Sequence, residues 1–155
     1  LELKLKLDSA ENIVEWPALV ADARKWLDDL DDMALRHGDE HNRDQAQKLG
    51  GEANEIIERK EPDRLKRKIK QIQDIFYQIL FSVPAFWVSQ FQKLEGQASM
   101  MSDTNRADRL FEMGRRYMEE DNISGLRNVV NQLWDLLPRE VAEEIHRGYG
   151  STLIR

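Results

Sequence analysis

The stretch LKRKIKQIQDIFYQI, residues 65–79, spaces its apolar side chains at intervals of three and four. This spacing places them along one face of an α-helix and leaves the charged side chains on the other faces. Comparable stripes occur on both sides of this stretch, from Pro17 to Ile145. Because such heptad-like stripes are typical of helices packed nearly parallel or antiparallel, the sequence predicts an all-α fold, an antiparallel helical bundle.

Proline and glycine residues indicate where these helices begin and end. Pro17, a favoured first-turn residue, predicts the start of the first bundle helix, and Gly38 predicts its end. Pro62 lies in the turn between the second and third stripes. The pair Gly50-Gly51 lies inside the second stripe, where each glycine costs about 1 kcal/mol relative to alanine. The pair predicts either a kink or a close crossing by another helix, and we favour the crossing.

An internal similarity emerges when the chain is shifted along itself by about 61 residues. The region 44–80 then aligns with the region 105–137, with apolar positions on apolar positions and turn on turn. One interpretation is a duplicated helical hairpin. The other is that two unrelated hairpins fall into phase, because heptads constrain the sequence so little. The sequence leaves both open.

The first eight residues, LELKLKLD, follow a different pattern. Leucine alternates with charged residues, and this period of two predicts a short N-terminal β-strand. A single strand leaves backbone groups unpaired, so we interpret residues 1–8 as the cut end of a preceding β-domain and residues 9–155 as the helical bundle domain. The open edge would favour self-association of this strand. The predicted partner-contact residues in it are Leu1, Leu3, Leu5 and Leu7.

Composition narrows the possible functions. The chain has 155 residues, a formal net charge of −6 and no cysteine. This charge argues against a dedicated nucleic-acid binder or a basic membrane-surface helix, and the absence of cysteine excludes disulfides and thiolate metal sites. The most apolar stretch, residues 75–88, is shorter than the ~20 residues that a membrane-spanning helix needs. We therefore expect a cytoplasmic protein that binds neither nucleic acid nor membrane.

Two segments contain residues that bind metals in other proteins. DDLDD, residues 28–32, has the spacing that chelates magnesium in helical prenyl-diphosphate synthases, but the neighbouring stripe points these aspartates toward solvent. HGDEH, residues 37–41, places two histidines four apart. Glycine stands where the zinc-protease motif has its glutamate, and Gly38 also tends to end the helix. We predict that the chain has no metal site, no cofactor site and no catalytic residue of its own.

The remaining candidates are surface features. The basic residues between Arg59 and Lys70 lie around the third stripe, among carboxylates and without aromatic residues to stack on bases, so we interpret them as a solvated face. In the aromatic stretch FSVPAFWVSQF, residues 81–91, Trp87 and Phe91 belong to the helix stripe and are predicted to be core. Phe86 and Val88 lie beside that stripe, and we predict that they contact a partner.

The segment ISGLRNVVNQLWDLLP, residues 123–138, resembles a stretch near the C-terminus of bacterial DnaK-like chaperones of the seventy-kilodalton heat-shock family. In that family, a β-sandwich that holds an extended peptide leads into a helical lid, and a strand followed by helices resembles this junction. The resemblance implies a non-catalytic C-terminal region that acts as a lid of the substrate-binding domain, or as an interaction module, for client polypeptides. It also implies that ATP acts through a domain absent from this chain. The alternative is a structural or oligomerisation bundle, a scaffold unrelated to chaperones.

Overall fold

The computed structural model describes the backbone of residues 2–149 and the side chains of residues 15–144. These residues form helices joined by short turns, with no strand between residues 2 and 149, so the predicted all-α fold is confirmed. The helices are α1 (Glu2–His37), α2 (Glu40–Arg59), α3 (Pro62–Phe81), α4 (Pro84–Glu95), α5 (Thr104–Glu119), α6 (Ile123–Leu136) and α7 (Arg139–Tyr149), with a 3₁₀ turn at Ala98–Met100.

The structure does not support the strand predicted over residues 1–8. Helix α1 begins at Glu2 and continues through Pro17, so Pro17 lies inside the helix instead of starting it. Leucine, glutamate and lysine are all good helix formers, and their propensity prevails where no neighbouring strand is present to pair with. The side chains of Leu3, Leu5 and Leu7, and the whole of Leu1, lie outside the described residues. Their role in partner contact stays a prediction.

The chain divides into two compact units, residues 1–80 and residues 81–155. In the first unit, α1, α2 and α3 surround a shared core to which each helix contributes small or branched side chains. Leu30, Leu65 and Ile72 are completely buried in it, as their stripes predict. In the second unit, α4, α5 and α6 pack together, and Trp87 and Phe91 are completely buried, as predicted.

The two helical hairpins, α2–α3 and α5–α6, contain the same turn. Lys60 and Asp121 follow the last turns of α2 and α5 in the left-handed conformation, with φ of 54° and 53°, and are the described non-glycine residues with positive φ. In each turn this residue and the next donate backbone hydrogen bonds to the last helical turn, which is a Schellman motif. The donor–acceptor pairs are Lys60–Ile57, Glu61–Ile56, Asp121–Met118 and Asn122–Tyr117. All four positions of one turn match those of the other at the shift of 61 residues that aligns the two hairpins. This match is in keeping with a duplication, and the duplication itself stays a prediction.

Helix α2 runs without interruption through Gly50 and Gly51. A Cβ atom at Gly50 would lie 3.9 Å from a methyl carbon of Leu27, an ordinary van der Waals distance, and one at Gly51 would meet no atom within 4 Å. Neither position therefore requires glycine for a close crossing. Close approach occurs instead at Gly114 of α5, where a Cβ atom would lie 2.2 Å from Cε2 of Phe91.

Candidate polypeptide-binding site

The acidic segment 28–32 lies on the outer side of α1. Asp28, Asp29, Asp31 and Asp32 are exposed, and Asp32 accepts a hydrogen bond from Arg36 at 2.9 Å. Partial burial, followed by the nearby charge of Asp28, raises the pKa of Asp31. Among the described residues, no group of three or more His, Asp or Glu side chains is placed to hold a metal ion.

The histidine pair lies on two different helices. His37 is the last residue of α1, and His41 lies in the first turn of α2, with Gly38 and Asp39 between the two helices. The Asp39 side chain caps α2 by accepting a hydrogen bond from the backbone of Asn42 at 2.8 Å. Both histidines are exposed. Because the helix is interrupted between the two histidines, they do not share the helical face that the zinc-protease arrangement needs.

Phe86 and Val88, the predicted partner-contact residues of α4, are both half-buried. The Phe86 ring lies 5.0 Å from the Trp87 ring and 5.5 Å from the Phe81 ring, measured between centroids. The Arg127 guanidinium lies over the Phe81 and Trp87 rings, 5.2 Å from the centre of Trp87. Phe86 is thus part of an internal aromatic cluster, and contact with a partner stays a prediction for both residues.

The basic residues of α3 are divided between two sides of the helix. Lys68 is mostly buried and contacts Glu52 of α2 at 2.5 Å. Arg64 pairs with Glu61 at 2.9 Å. Lys66, Arg67 and Lys70 are exposed, in agreement with a solvated face. Lys66 in addition lines a groove that the sequence alone does not reveal.

This groove lies between the first described turns of α1 and the start of α3, and its volume is about 560 Å³. Trp16 and Leu19 are its half-buried members and form the floor, because both pack against the core cluster that contains Leu65 and Ile69. Pro62 starts α3 at the edge of the groove, and Leu65, one turn later, is completely buried beneath it. The floor is therefore apolar and fixed by the core.

The rim of the groove is charged. It contains the exposed carboxylates of Glu15, Asp22 and Asp63 and the exposed ammonium group of Lys66. Among the described residues, none of these four forms an ion pair within 4.0 Å. Three carboxylates against one cation give the groove a negative potential. A ligand that combines an apolar side chain with positive charge would complement both the floor and the rim.

A second groove, of about 530 Å³, lies between α2 and α3, with Leu49 and Ile75 among its lining residues. The Glu52–Lys68 ion pair crosses it, and Lys68 also donates a hydrogen bond to Gln71 at 2.7 Å. These contacts pair three of the polar residues that line the groove with one another: Glu52, Lys68 and Gln71. The hydrogen bond from Lys68, followed by the charges of Lys68 and Lys48, lowers the pKa of Glu52. This groove is therefore less suited than the first to bind a ligand.

The lowered pKa of Glu52 predicts how the stability of the chain depends on pH. Since the pKa is lower in the folded state than in the unfolded state, the ion pair stabilises the fold at neutral pH, and this contribution is lost as the pH falls below about 4.3. The Glu52 side chain is 38% exposed, so we expect a contribution below about 1 kcal/mol. Urea unfolding should show Glu52→Gln less stable than wild type at pH 7, and the difference should become smaller as the pH is lowered below about 4.3. Glu58→Gln on the same helix is the control, and an equal loss there at pH 7 would contradict the prediction.

Protein-family models, curated proteins and solved structures show no match to this chain. Among the residues that the structure describes, none of the helices combines the length and the apolar content that crossing a bilayer requires. Function is therefore inferred from the groove and from the surfaces of the two units.

Proposed function

We propose that this chain is a non-catalytic helical module that binds polypeptide, and that its binding site is the groove between α1 and α3. The observation that carries the proposal is the apolar floor of Trp16 and Leu19 beneath a rim in which carboxylates outnumber cations. Such a site fits an extended segment that has a bulky apolar side chain next to lysine or arginine. The apolar side chain would supply affinity through buried area, and the flanking cations would supply orientation.

The open shape of the groove also favours polypeptide over a small metabolite. Small-molecule sites typically enclose most of the ligand and present a few convergent polar groups. The described members of this groove are mostly exposed, and all four of its charged side chains are among the exposed ones. A segment of chain lying across the edge can contact both helices at once.

The relation to DnaK-like chaperones is part of this proposal, and it rests on residues 123–138. In the structure α6 (Ile123–Leu136) covers most of this segment, and Leu126, Val129 and Leu133 are buried in the second unit. The resemblance therefore concerns packing residues and bears on the fold of that unit. The strand that would have joined a preceding β-domain is not supported, so the groove in the first unit carries the functional part of the proposal.

Fluorescence anisotropy with a short labelled peptide, in which leucines and a phenylalanine are flanked by lysines, tests the proposal. Wild type should bind it. The double variant Asp22→Lys/Asp63→Lys should bind it with a dissociation constant at least roughly ten times higher, because the rim would then repel the lysines of the peptide. The control is Asp44→Lys/Glu58→Lys, which makes the same charge change on exposed positions of α2. Circular dichroism verifies that both variants retain their helix content.

Two further peptides separate groove binding from unspecific attraction. One replaces the lysines by glutamates, and the other replaces the apolar residues by serines. Both should bind more weakly than the parent peptide. Equal binding of the serine peptide, equal loss in the two protein variants, or failure of wild type to bind the parent peptide would each contradict the proposal.

A structural role through self-association is the second candidate. A separate observation favours it: Leu35 of the first unit is exposed among aspartates, and Met113 of the second unit is exposed among arginines.

A further inference from the structure

Three large apolar side chains among the described residues are exposed: Leu35, Met100 and Met113. Leu35 of α1 is 72% exposed, and Met113 of α5 is 40% exposed. Single exposed apolar residues are common on protein surfaces and need no explanation by themselves. The charges around Leu35 and Met113 distinguish these two.

Leu35 lies at the end of an acidic stripe on α1, made of Asp28, Asp31, Asp32 and Leu35. The aspartates precede Leu35 by seven, four and three positions, so all four residues share one face of the helix. Among the described residues, Asp28 and Asp31 have no ion pair, and Asp32 has only the exposed pair with Arg36. The raised pKa of Asp31 reflects in part the repulsion from Asp28, which a cation from outside would relieve.

Met113 lies within a basic stripe on α5, made of Arg106, Arg109, Met113 and Arg116. These residues also share one helical face, and all of them are exposed. Arg106 donates a hydrogen bond to Gln132 at 3.4 Å, and Arg116 pairs with Glu112 at 3.8 Å. Arg109 has no ion pair within the part of the chain that the structure describes. Arginine and methionine are both enriched at protein interfaces.

We propose that the acidic stripe of one copy of this chain docks against the basic stripe of a second copy, with Leu35 packing against the Met113 stripe. The two stripes are complementary, because one surrounds its exposed apolar side chain with carboxylates and the other surrounds its own with guanidinium groups. Because the two stripes are different surfaces, the contact is heterologous. The charges are exposed, so the association is weak and sensitive to salt. This inference goes beyond the proposed polypeptide binding and does not depend on it, because neither stripe contributes to the groove.

Sedimentation velocity of the full chain, with reversed charges in each stripe, tests the inference. Wild type should associate at about 0.1 M salt, and its association constant should fall by roughly tenfold or more at about 1 M salt. The reason is that the screening length falls from about 10 Å to about 3 Å over this range. Asp28→Lys/Asp31→Lys makes both stripes positive, and Arg109→Glu/Arg116→Glu makes both negative. Each variant alone should be monomeric. An equimolar mixture of the two should associate again, because every contact in it joins opposite charges.

The matched controls place the same charge changes elsewhere. Asp44→Lys/Glu58→Lys and Arg67→Glu/Lys70→Glu should associate like wild type. The neutral variants Asp28→Asn/Asp31→Asn and Arg109→Gln/Arg116→Gln should show partial loss, and they serve as the test if a reversed variant loses helix content. A monomeric wild type at about 0.1 M salt, or a mixture that stays monomeric, overturns the inference. So does binding of labelled single-stranded DNA by the basic stripe without self-association. Peptide binding in the groove is unaffected by these outcomes, so the two proposals can fail separately.

Discussion

Trp87→Ala is expected to destabilise the second unit by about 3–5 kcal/mol, the range typical of removing a fully buried large aromatic side chain. Trp87 is completely buried, and its indole N–H donates a hydrogen bond to the backbone carbonyl of Phe81 at 2.8 Å. Its ring also lies 6.1 Å from that of Trp134 and beneath the Arg127 guanidinium. Truncation therefore leaves a cavity, removes the hydrogen bond from the indole N–H and removes one of the two rings that lie beneath the Arg127 guanidinium.

Urea unfolding followed by circular dichroism measures this loss, and hydrogen exchange assigns it to the amides of α4 and α6. Phe86→Ala is the matched control, because Phe86 belongs to the same aromatic cluster but is only half-buried. We expect a smaller loss for it. A loss below about 1 kcal/mol for Trp87→Ala, the size typical of many unremarkable substitutions, would show that the cluster is not the core of this unit.

The helices could be predicted from the sequence because local signals and burial agree. The stripe through Leu65, Ile69 and Ile72 is buried as its spacing predicts, and α3 begins at Pro62, in the predicted turn. The end of α1 at His37, just before Gly38, follows from the same kind of signal. In each case, a proline or a glycine stands next to the end of an apolar stripe.

The strand predicted over residues 1–8 is not supported, because alternation of apolar and charged residues over only eight positions is a weak signal for a strand. A period of two predicts a strand only if a sheet is present to bury one face, and the helix propensity of leucine, glutamate and lysine opposes it. The prediction that α1 starts at Pro17 failed for a related reason. Proline is favoured in the first turn, and inside a helix it removes one backbone hydrogen bond and crowds the carbonyl four residues earlier, but α1 continues through Pro17 despite this cost.

The groove could not be predicted because its members are far apart in sequence. Trp16 and Leu19 come from α1, whereas Pro62 and Asp63 come from α3, and only the packing of the first unit brings them together. The sequence does place Asp22 and Asp63 on the polar faces of their helices. It does not say which polar face lies next to an open apolar floor.

The stripes around Leu35 and Met113 were accessible in principle. Both follow from helical spacing alone, once a large apolar residue is found on a face whose neighbours three, four and seven positions away are charged. Leu35 and Met113 do not belong to the apolar stripes that form the core, and this separates them from the other large apolar residues of their helices.

Gly114→Ala should destabilise the second unit, although alanine is the better helix former. The added Cβ atom would lie 2.2 Å from Cε2 and 2.7 Å from Cζ of Phe91, far inside van der Waals contact. Phe91 is completely buried and packs edge-to-face on Phe111 with centroids 5.7 Å apart, so its ring has little room to move. We expect an overpacking cost of about 1–3 kcal/mol, which exceeds the ~1 kcal/mol that helix propensity returns.

Gly51→Ala is the matched control, because it makes the same chemical change in the interior of α2, where a Cβ atom meets nothing within 4 Å. It should stabilise the chain by about 0.5–1 kcal/mol. Urea unfolding of the two variants should therefore shift in opposite directions, and Gly114→Ala/Phe91→Leu should recover part of the loss by giving the new methyl group space. If both glycine variants were stabilised equally, the close packing of α4 on α5 would be refuted, because helix propensity alone predicts the same sign at both positions.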